Sequence, residues 1–246
     1  MMDEARREDY LRAMGVTRWR RRGRSTAVQD EGEISEAQVP PSQIPREIAP
    51  PPSAATPGGD LDWSALRERV RDCRACELRA GCTQTVFGVG NIQADLLVIG
   101  EAPGADEDRQ GEPFVGRAGQ LLNAMLLAMG YKRESVFIAN IVKCRPPNNR
   151  DPLPEEALRC EPYLLRQIEL IRPRLILAVG RVAAQNLLKT DVTVGRLRSR
   201  VHAFGAAQVP LVVTYHPAYL LRSPDQKGKA WQDLQLALSR LRGGAV

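Results

Sequence analysis

The chain has 246 residues, of which 43% are hydrophobic, so it can bury one sizeable core and still carry a tail. No apolar run approaches the ~20 residues that cross a membrane, and the N-terminus lacks the apolar segment of a signal peptide, so neither a membrane protein nor an exported one is expected. The formal net charge of +6 favours a polyanionic partner such as nucleic acid, although a GC-rich genome, which favours Arg codons, would give the same excess of arginine.

The N-terminal region differs in composition from the rest of the chain. Residues 25–60 contain a long Pro-rich stretch and predict a disordered, extended linker. Residues 1–24 are a candidate docking peptide, because apolar side chains recur there roughly on one face of a short helix, at Tyr10, Leu11, Met14 and Trp19. The alternative is a disordered leader in which these apolar residues have no partner.

From Leu61 onward, apolar strand-like runs alternate with helical patterns. The runs that predict strands are 95–100, 136–142, 174–180 and 209–216. The patterns that predict helices are 118–130, 154–171, 181–189 and 231–241. Continuous Val/Ile/Leu runs separated by helices indicate an α/β fold whose parallel sheet is covered on both faces.

Polar residues stand at or beside the ends of three of these strands. Glu101 follows the first strand, Asn140 lies in the second and His216 follows the fourth. Right-handed crossovers bring the carboxyl ends of parallel strands to one edge, where such sheets bind ligands, so we expect the three side chains to share one crevice. The loop 100–116 in this crevice is acidic and lacks a P-loop Lys, which argues against a phosphate-binding role.

Five cysteines without an export signal indicate a reducing compartment, in which metal or cluster ligation is more common than disulfide formation. Cys73 and Cys76 form a CxxC motif, and Cys144 and Cys160 follow later in the chain. Four such thiolates suit either zinc or an iron–sulfur cluster, and the spacing does not choose between them. Cys82 is interpreted as a non-ligand.

Several motifs in the same order resemble those of family 4 uracil-DNA glycosylases, the iron–sulfur class of that superfamily. They are CRAC (73–76), FGVGN (87–91), GEAPGADEDRQGEPFVG (100–116), AGQLL (118–122), NIVKCRPPNNRDP (140–152) and TYHPAYLLR (214–222). The resemblance assigns residues 61–246 to a catalytic domain. It implies a three-layer α/β/α sandwich around a four-stranded parallel sheet, and a [4Fe-4S] cluster on Cys73, Cys76, Cys144 and Cys160.

The resemblance also implies an enzyme, a hydrolase that flips uracil out of DNA and hydrolyses its N-glycosidic bond in base excision repair. Asn140 would read the base edge together with Gly100, Glu101 and Ala102, and Phe114 would stack on the ring. His216 would stabilise the negative charge that develops on uracil O2, and Glu101 would orient water or stabilise the cationic sugar.

Three groups of residues are expected to contact single- or double-stranded DNA. Leu220 or Leu221 would fill the gap left by the flipped nucleotide. Arg222 would contact phosphates, as would Arg198 and Arg200 in the RLRSR run. A monomer in the bacterial cytosol is expected.

Two alternatives to plain hydrolysis remain open at this point. His202 lies in an Arg-rich segment, and a related class cross-links covalently to DNA through such a histidine. A DNA-binding module with a cluster or zinc that has lost catalysis is the second alternative. Separately, residues 1–24 resemble the docking peptide of the bacterial clamp-loader psi subunit, which would make the clamp loader a partner.

Overall fold

The computed structural model describes residue 12 and residues 60–243. Apart from residue 12, the expected docking peptide 1–24 lies outside the described residues, as does the linker up to residue 59. Within 60–243, the strands are β1 Val89–Gly90, β2 Leu96–Gly100, β3 Phe137–Asn140, β4 Leu175–Val179, β5 Val201–Phe204 and β6 Val209–Thr214.

The α-helices of the same region pack around these strands. They are α1 Trp63–Arg71, α2 Leu78–Gly81, α3 Ala105–Gln110, α4 Arg117–Met129, α5 Pro154–Ile171, α6 Arg181–Leu188, α7 Val194–Leu197, α8 Pro217–Arg222 and α9 Lys227–Gly243. Short 3-10 turns occur at Arg133–Ser135, Pro147–Asn149 and Pro224–Gln226. None of the helices in residues 60–243 is both long and apolar enough to cross a membrane.

The strands form one sheet in the order β1-β3-β2-β4-β6-β5. The central strands β3, β2, β4 and β6 are parallel, and β1 and β5 pair antiparallel at the two edges. The register sets Gly100 opposite Asn140 and Val179 opposite Thr214. The carboxyl ends of all four central strands therefore meet at one edge.

Alternate side chains of the central strands enter two separate cores. In β2, Leu97 and Ile99 pack with α1, α5 and α6 on one face, whereas Leu96 and Val98 pack with α4 and α9 on the other. Both sets of side chains are completely buried. This arrangement explains the continuous apolar runs in the sequence, because both faces of each central strand are covered.

The predicted three-layer sandwich with four central parallel strands is confirmed, and the sheet is larger than predicted. The edge strands β1 and β5 were not predicted. β1 has only two residues, and β5 carries His202 and no fully buried side chain, so neither has the apolar pattern of a buried strand.

Candidate active site

An open cleft of about 780 Å³ lies at the carboxyl edge of the sheet. Glu101 after β2, Gly180 after β4 and His216 after β6 all line it, as do Ala102 and Phe114. We call it the strand-end cleft. Its remaining lining residues are Pro103, Gly104, Glu107, Ala118, Pro146, Asn149, Arg150, Arg181, Thr193, Val194, Gly195, Tyr215, Ala218, Tyr219 and Arg222.

Asn140 ends β3 beneath this cleft, and its side chain is 1% exposed. Its Oδ1 has no hydrogen-bond partner among the described residues. An unpaired buried carbonyl costs about 1–3 kcal/mol, so a native protein seldom keeps one without a purpose. It is one of two buried side-chain oxygens of the described residues that lack a partner, the other being Thr214 Oγ1.

Gly100 leaves room for two side chains that approach its backbone. A Cβ at this position would lie 2.5 Å from Asn140 Oδ1 and 2.6 Å from Phe114 Cζ. Backbone hydrogen bonds from Ile141 N to Gly100 O (3.0 Å) and from Val142 N to Glu101 O (3.2 Å) extend the strand pairing past the strand ends. The amide of Asn140 and the ring of Phe114 therefore meet over a fixed segment of backbone.

Phe114 is held by a loop whose backbone is strained. Its φ of 55° is in the left-handed region, which a bulky residue rarely adopts. Arg133 donates to Phe114 O at 3.1 Å and also to Pro113 O. The main chain passes so close to Gly119 that a Cβ there would lie 1.8 Å from Phe114 O. The Phe114 ring is 6% exposed, and its centroid lies 5.6 Å from that of His216.

The acids that follow Glu101 shape this loop. Glu107 Oε1 accepts hydrogen bonds from the backbone of Val115 (2.9 Å) and Gly116 (3.1 Å), and its Oε2 accepts one from Gly104 N (3.1 Å). The buried Asp108 accepts from Thr83 N at 2.9 Å and Thr83 Oγ1 at 2.8 Å. Both carboxylates are used by protein donors, which explains the acidic character of the segment without a catalytic role for either.

Glu101 differs from these acids in its surroundings. Burial and, to a smaller extent, the neighbouring Asp151 carboxylate raise its pKa to about 7. Arg181 opposes this shift. At neutral pH, Glu101 is therefore divided between its neutral and ionised forms, as suits a group that exchanges a proton.

His216 is held as a neutral imidazole. Burial, aided by the charge of Arg222, lowers its pKa to about 4. The backbone N–H of Ala218 donates to His216 Nδ1 at 3.1 Å, so the ring proton is on Nε2. Gly180, at φ +100°, lets the main chain pass beneath the imidazole, because a Cβ there would lie 2.9 Å from His216 Cβ.

The residues that were expected to contact DNA differ in how far their side chains are exposed to solvent. Leu221 is 37% exposed, Arg222 lines the strand-end cleft and Arg200 is exposed. Leu220 is 1% exposed and belongs to the core beside α4 and α9, so Leu221 is the candidate of the two that is exposed. A helix buries one side, and Leu220 is on the buried side of α8.

Arg198 also departs from the expectation of a phosphate contact. Its guanidinium pairs with Asp233 at 3.0 Å, donates to Lys229 O at 2.6 Å and lies over the Tyr215 ring. The Arg198 side chain is only 11% exposed, and Asp233 is completely buried. The arginine neutralises a buried carboxylate, so little of its side chain is left exposed for a phosphate contact.

His202 lies on the edge strand β5 and is not among the residues that line the strand-end cleft. One of its ring nitrogens is 2.8 Å from Leu197 O, a backbone hydrogen bond that occupies that nitrogen. This placement gives no support to a covalent reaction at His202.

Four of the five cysteines line a small apolar cavity between α1, α5 and the segment after β3. They are Cys73, Cys76, Cys144 and Cys160, and we call the space the four-cysteine cavity. Tyr163 donates to Cys73 Sγ at 3.2 Å, and Lys143 N donates to Cys160 Sγ at 3.3 Å. Cys82 does not line the cavity, and its thiol donates to Arg79 O at 3.7 Å.

The four cysteines line one cavity. Within residues 60–243, no three Cys, His, Asp or Glu side chains converge closely enough to bind a single metal ion. A tetrahedral zinc site with Zn–S bonds near 2.3 Å would bring its sulfurs to about 3.8 Å from one another.

Lys143 connects the four-cysteine cavity to the strand-end cleft. Its side chain is 1% exposed, and its ammonium donates to Asn140 O at 3.1 Å and Gln167 Oε1 at 2.6 Å. Gln167 in turn donates to Phe87 O at 3.0 Å. Burial lowers the pKa of Lys143 to about 8, and the thiol of Cys160 opposes that shift.

Sequence reasoning missed Asp151, Arg181, Arg133 and Lys143 as parts of these sites. Asp151 and Lys143 belong to the motif NIVKCRPPNNRDP, so the signal was present without a role for either residue. Arg181 could have been found as the residue after the third predicted strand. Arg133 lies outside every motif, and only the folded loop brings it to Phe114.

The motifs from FGVGN (87–91) to TYHPAYLLR (214–222) lie within the match to one protein-family model. The family model of the uracil DNA glycosylase superfamily matches residues 87–235. The match covers more than half of the chain, so the chain belongs to this superfamily.

Within the superfamily, the chain belongs with the type-4 uracil-DNA glycosylases. It is 45% identical to the type-4 enzyme of Archaeoglobus fulgidus, over 68% of this chain and 86% of the relative. The type-4 enzyme of Pyrobaculum aerophilum is 41% identical over 72% and 93% of the two chains, and that of Thermotoga maritima is 45% identical over 64% and 82%. The expected family is confirmed.

Proposed function

We propose that this protein removes uracil from DNA by hydrolysing the N-glycosidic bond, as the names of its type-4 relatives indicate for them. The observation that carries the proposal is the buried, unpartnered Oδ1 of Asn140, next to the Phe114 ring and the open backbone of Gly100. A flat polar base that enters the strand-end cleft would supply the missing donor. The catalytic domain in this proposal is residues 61–246.

Asn140 selects uracil by matching its hydrogen-bond pattern. The Oδ1 of Asn140 accepts from uracil N3–H, and its amide group donates to O4. Cytosine presents an acceptor at N3 and an amino donor in place of O4, so both groups of the amide would face the wrong partner. Sites built this way reject the mismatched base strongly, because buried polar groups are left unpaired.

Phe114 forms the surface on which the flipped base stacks. The backbone at Gly100, Glu101 and Ala102 lies along the edge of that base. The strained loop supports this role, because Arg133 and Glu107 fix the main chain on both sides of the ring. A pre-ordered ring reduces the entropy lost when the base is captured.

His216 stabilises the leaving group. As the bond breaks, negative charge develops on uracil O2, and a neutral imidazole with its proton on Nε2 can donate to that oxygen. A pKa of about 4 means that the ring stays neutral throughout the physiological range. A positioned donor of this kind contributes about 3 kcal/mol to the transition state.

Glu101 acts on the sugar in its ionised form. Loss of the base leaves an oxocarbenium-like sugar, whose positive charge a nearby carboxylate stabilises, and the same carboxylate can orient the attacking water. Because burial raises the pKa of Glu101 to about 7, the fraction of active enzyme increases as the pH rises from 6 to 8.

DNA contacts in this proposal come from exposed residues around the strand-end cleft. Leu221 enters the space vacated by the nucleotide, and Arg222 and Arg200 contact phosphates. The exposure of these three side chains supports the assignment. Neither Leu220 nor Arg198 has a part in it.

A [4Fe-4S] cluster in the four-cysteine cavity is the cofactor that we propose. The residues fit such a group: four thiols surround an apolar space, and thiolates are the usual ligands of iron–sulfur clusters. Within residues 60–243, both acceptors of the buried Lys143 ammonium are neutral oxygens, so an anionic cluster beside it would supply a counter-charge. The cluster's contribution is structural, because hydrolysis transfers no electrons.

The remaining assignments rest on sequence. We propose that the protein acts as a monomer in the bacterial cytosol, and that residues 1–24 dock on the clamp loader through a linker of residues 25–60. Capture of clamp loader by a peptide of residues 1–24, abolished by Trp19→Ala, would support the docking. Absence of binding by the wild-type peptide would contradict it.

The function is tested by incubating the full chain with a uracil-containing oligonucleotide and then cleaving abasic sites with alkali. We expect strand breaks at uracil and none at cytosine. No breaks with cluster absorbance intact would contradict the proposal and favour a DNA-binding module without catalysis. Protein that stays bound to DNA through boiling in detergent, and is lost in His202→Ala, would instead indicate the covalent reaction.

A further inference from the structure

Two tyrosine rings lie together on the wall of the strand-end cleft. Tyr215 follows β6 and Tyr219 lies in α8, on either side of His216 in the chain, and both line the cleft. Their ring centroids are 5.1 Å apart, with 38° between the ring planes. We call them the tyrosine pair. Tyr219 is 36% exposed, and it is the only aromatic residue among the large hydrophobic side chains that are exposed in residues 60–243.

Tyr215 is held in place by the protein around it. It is partly buried and packs against the core beside α4 and α9. The guanidinium of Arg198 lies over its ring, 5.7 Å from the centroid, and that arginine is itself fixed by Asp233 and by Lys229 O. A cation over the face of a ring is attracted to it, so Tyr215 forms an ordered support for the ring of Tyr219.

The backbone of Tyr219 is fixed as well. Its N–H donates to His216 O at 2.9 Å, and its carbonyl accepts from Ser223 N at 2.8 Å. The next residue, Leu220, is 1% exposed and anchors α8 in the core. Because apolar ring surface left in water forgoes the free energy of burial, an ordered and exposed ring in a cleft suits contact with a flat, largely apolar partner.

The tyrosine pair lies beside the place proposed for the flipped uracil. The ring of His216 is 5.6 Å from that of Phe114 on one side, and the two tyrosines flank His216 in the chain. Phe114 is 6% exposed, so a base must be withdrawn deep into the cleft to reach it, whereas Tyr219 is accessible from solvent. We therefore expect a strand that delivers uracil to Phe114 to carry a neighbouring nucleotide past Tyr219.

An unpaired base suits this exposed ring. Every base has a π-face, so stacking on an aromatic side chain tolerates any sequence. In a duplex the neighbouring bases stay paired within the helix, whereas in a single strand they can turn toward the protein. Arg222 is exposed, lines the same cleft and follows Tyr219 by three residues, so it lies on the same side of α8, where it would meet a phosphate next to the stacked base.

We propose that Tyr219, supported by Tyr215, stacks on an unpaired base adjacent to the flipped uracil and so forms a binding subsite for single-stranded DNA. The subsite reads no sequence, because it contacts only the face of the base. Leu221 fills the vacated space of a duplex in the function proposed above, so two side chains of α8 serve the two forms of the substrate. The inference rests on that proposed function.

The test is binding of the full chain to a single-stranded oligonucleotide whose deoxyuridine carries fluorine at C2′, which disfavours a cationic sugar and keeps the uracil attached. Tyr219→Ala should raise the Kd, measured by fluorescence anisotropy, about 5- to 150-fold for this strand and less than about threefold for the matching duplex. Tyr219→Phe keeps the ring, so its Kd should stay within about twofold of the wild-type value.

Two further variants are controls. Tyr131 packs against the same core as Tyr215, but it follows the carboxyl end of α4, whereas Ala118 near the amino end of that helix lines the cleft. Tyr131→Ala should therefore leave both Kd values unchanged. Leu221→Ala should show the reverse preference to Tyr219→Ala, with the larger loss of affinity for the duplex.

A second measurement does not depend on how well the alanine variant folds. The fluorescence of 2-aminopurine responds to stacking, and the probe is placed on the 5′ or the 3′ side of the uracil in the same single strand. In the wild type and in Tyr219→Phe, binding should change the signal more on one side than on the other. An equal change on both sides, or none, would contradict the subsite.

The outcomes separate this inference from the function on which it rests. The subsite is wrong if Tyr219→Ala binds the single strand as the wild type does, if it loses single strand and duplex equally, or if Tyr219→Phe binds as weakly as Tyr219→Ala. Strand breaks at uracil by the wild type would still support the glycosylase function in each case. Absence of those breaks would instead overturn the function.

Discussion

Asn140, close to the strand-end cleft, and Cys144, in the four-cysteine cavity, are only four residues apart in the chain. The two sites nevertheless differ in openness, polarity and the chemical groups that line them. The cleft is open and keeps an unpaired acceptor, a carboxyl group with a raised pKa and an imidazole with a lowered one. The cavity is small, apolar and surrounded by thiols. Lys143 links them, because its ammonium binds Asn140 O and its backbone N–H binds Cys160 Sγ. In our proposal, the groups of the cleft bind and release a substrate, whereas the thiols of the cavity hold a cofactor permanently.

The largest expected effect is at Asn140. Asn140→Leu keeps the volume but removes the amide, so excision of uracil should fall by about 10³-fold or more in kcat/KM. The melting temperature should not fall, because an unsatisfied buried acceptor is removed as well. Asn186→Leu, in α6 away from the cleft, is the control. Activity within tenfold of wild type would contradict the role of Asn140.

Removing one thiol should affect the cavity without changing the chemistry of the cleft. In Cys144→Ser we expect loss of bound iron and of cluster absorbance, with a large decrease in thermal stability, because ligation contributes to folding. Cys82→Ser should retain both, since Cys82 does not line the cavity. Equal iron content in the two variants would show that the ligand set is wrong.

Arg198 and Arg200 should respond in opposite ways although they are two residues apart. Arg198→Met leaves the buried Asp233 without its cation, which should lower the free energy of unfolding by about 3–5 kcal/mol in urea titrations. Arg200→Met should change stability by less than about 0.5 kcal/mol and weaken DNA binding, with a smaller salt dependence. A stable Arg198→Met with weakened DNA binding would restore the sequence-based expectation.

The smallest expected effect in the cleft region separates Leu221 from Leu220. Leu221→Ala should reduce excision from duplex DNA by about tenfold, with less effect on single strands, which need no unstacking. Leu220→Ala should instead destabilise the fold by about 2–5 kcal/mol, because it leaves a cavity in the core. A selective duplex defect in Leu220→Ala alone would reverse the assignment.

Sequence patterns predicted the parts of the molecule in which one local rule decides the structure. The central strands and long helices follow from apolar periodicity, with boundaries displaced by a few residues. Glu101 and His216 could be placed in the cleft because the ends of parallel strands meet at one edge, whereas Asn140, expected in the same crevice, is buried and is not among its lining residues.

The parts that could not be predicted depend on contacts between distant segments. Arg198 looked like a phosphate ligand because its carboxylate partner, Asp233, is 35 residues away on α9. Which of two adjacent leucines faces solvent depended on how α8 is set against the core.

The most direct test of the account is a crystal structure of the Glu101→Gln variant bound to an oligonucleotide that contains uracil. We predict that the flipped base stacks on Phe114, that its N3 donates to Asn140 Oδ1 and that His216 Nε2 lies within hydrogen-bond distance of O2. A base held elsewhere, with Asn140 Oδ1 still unpartnered, would contradict the account.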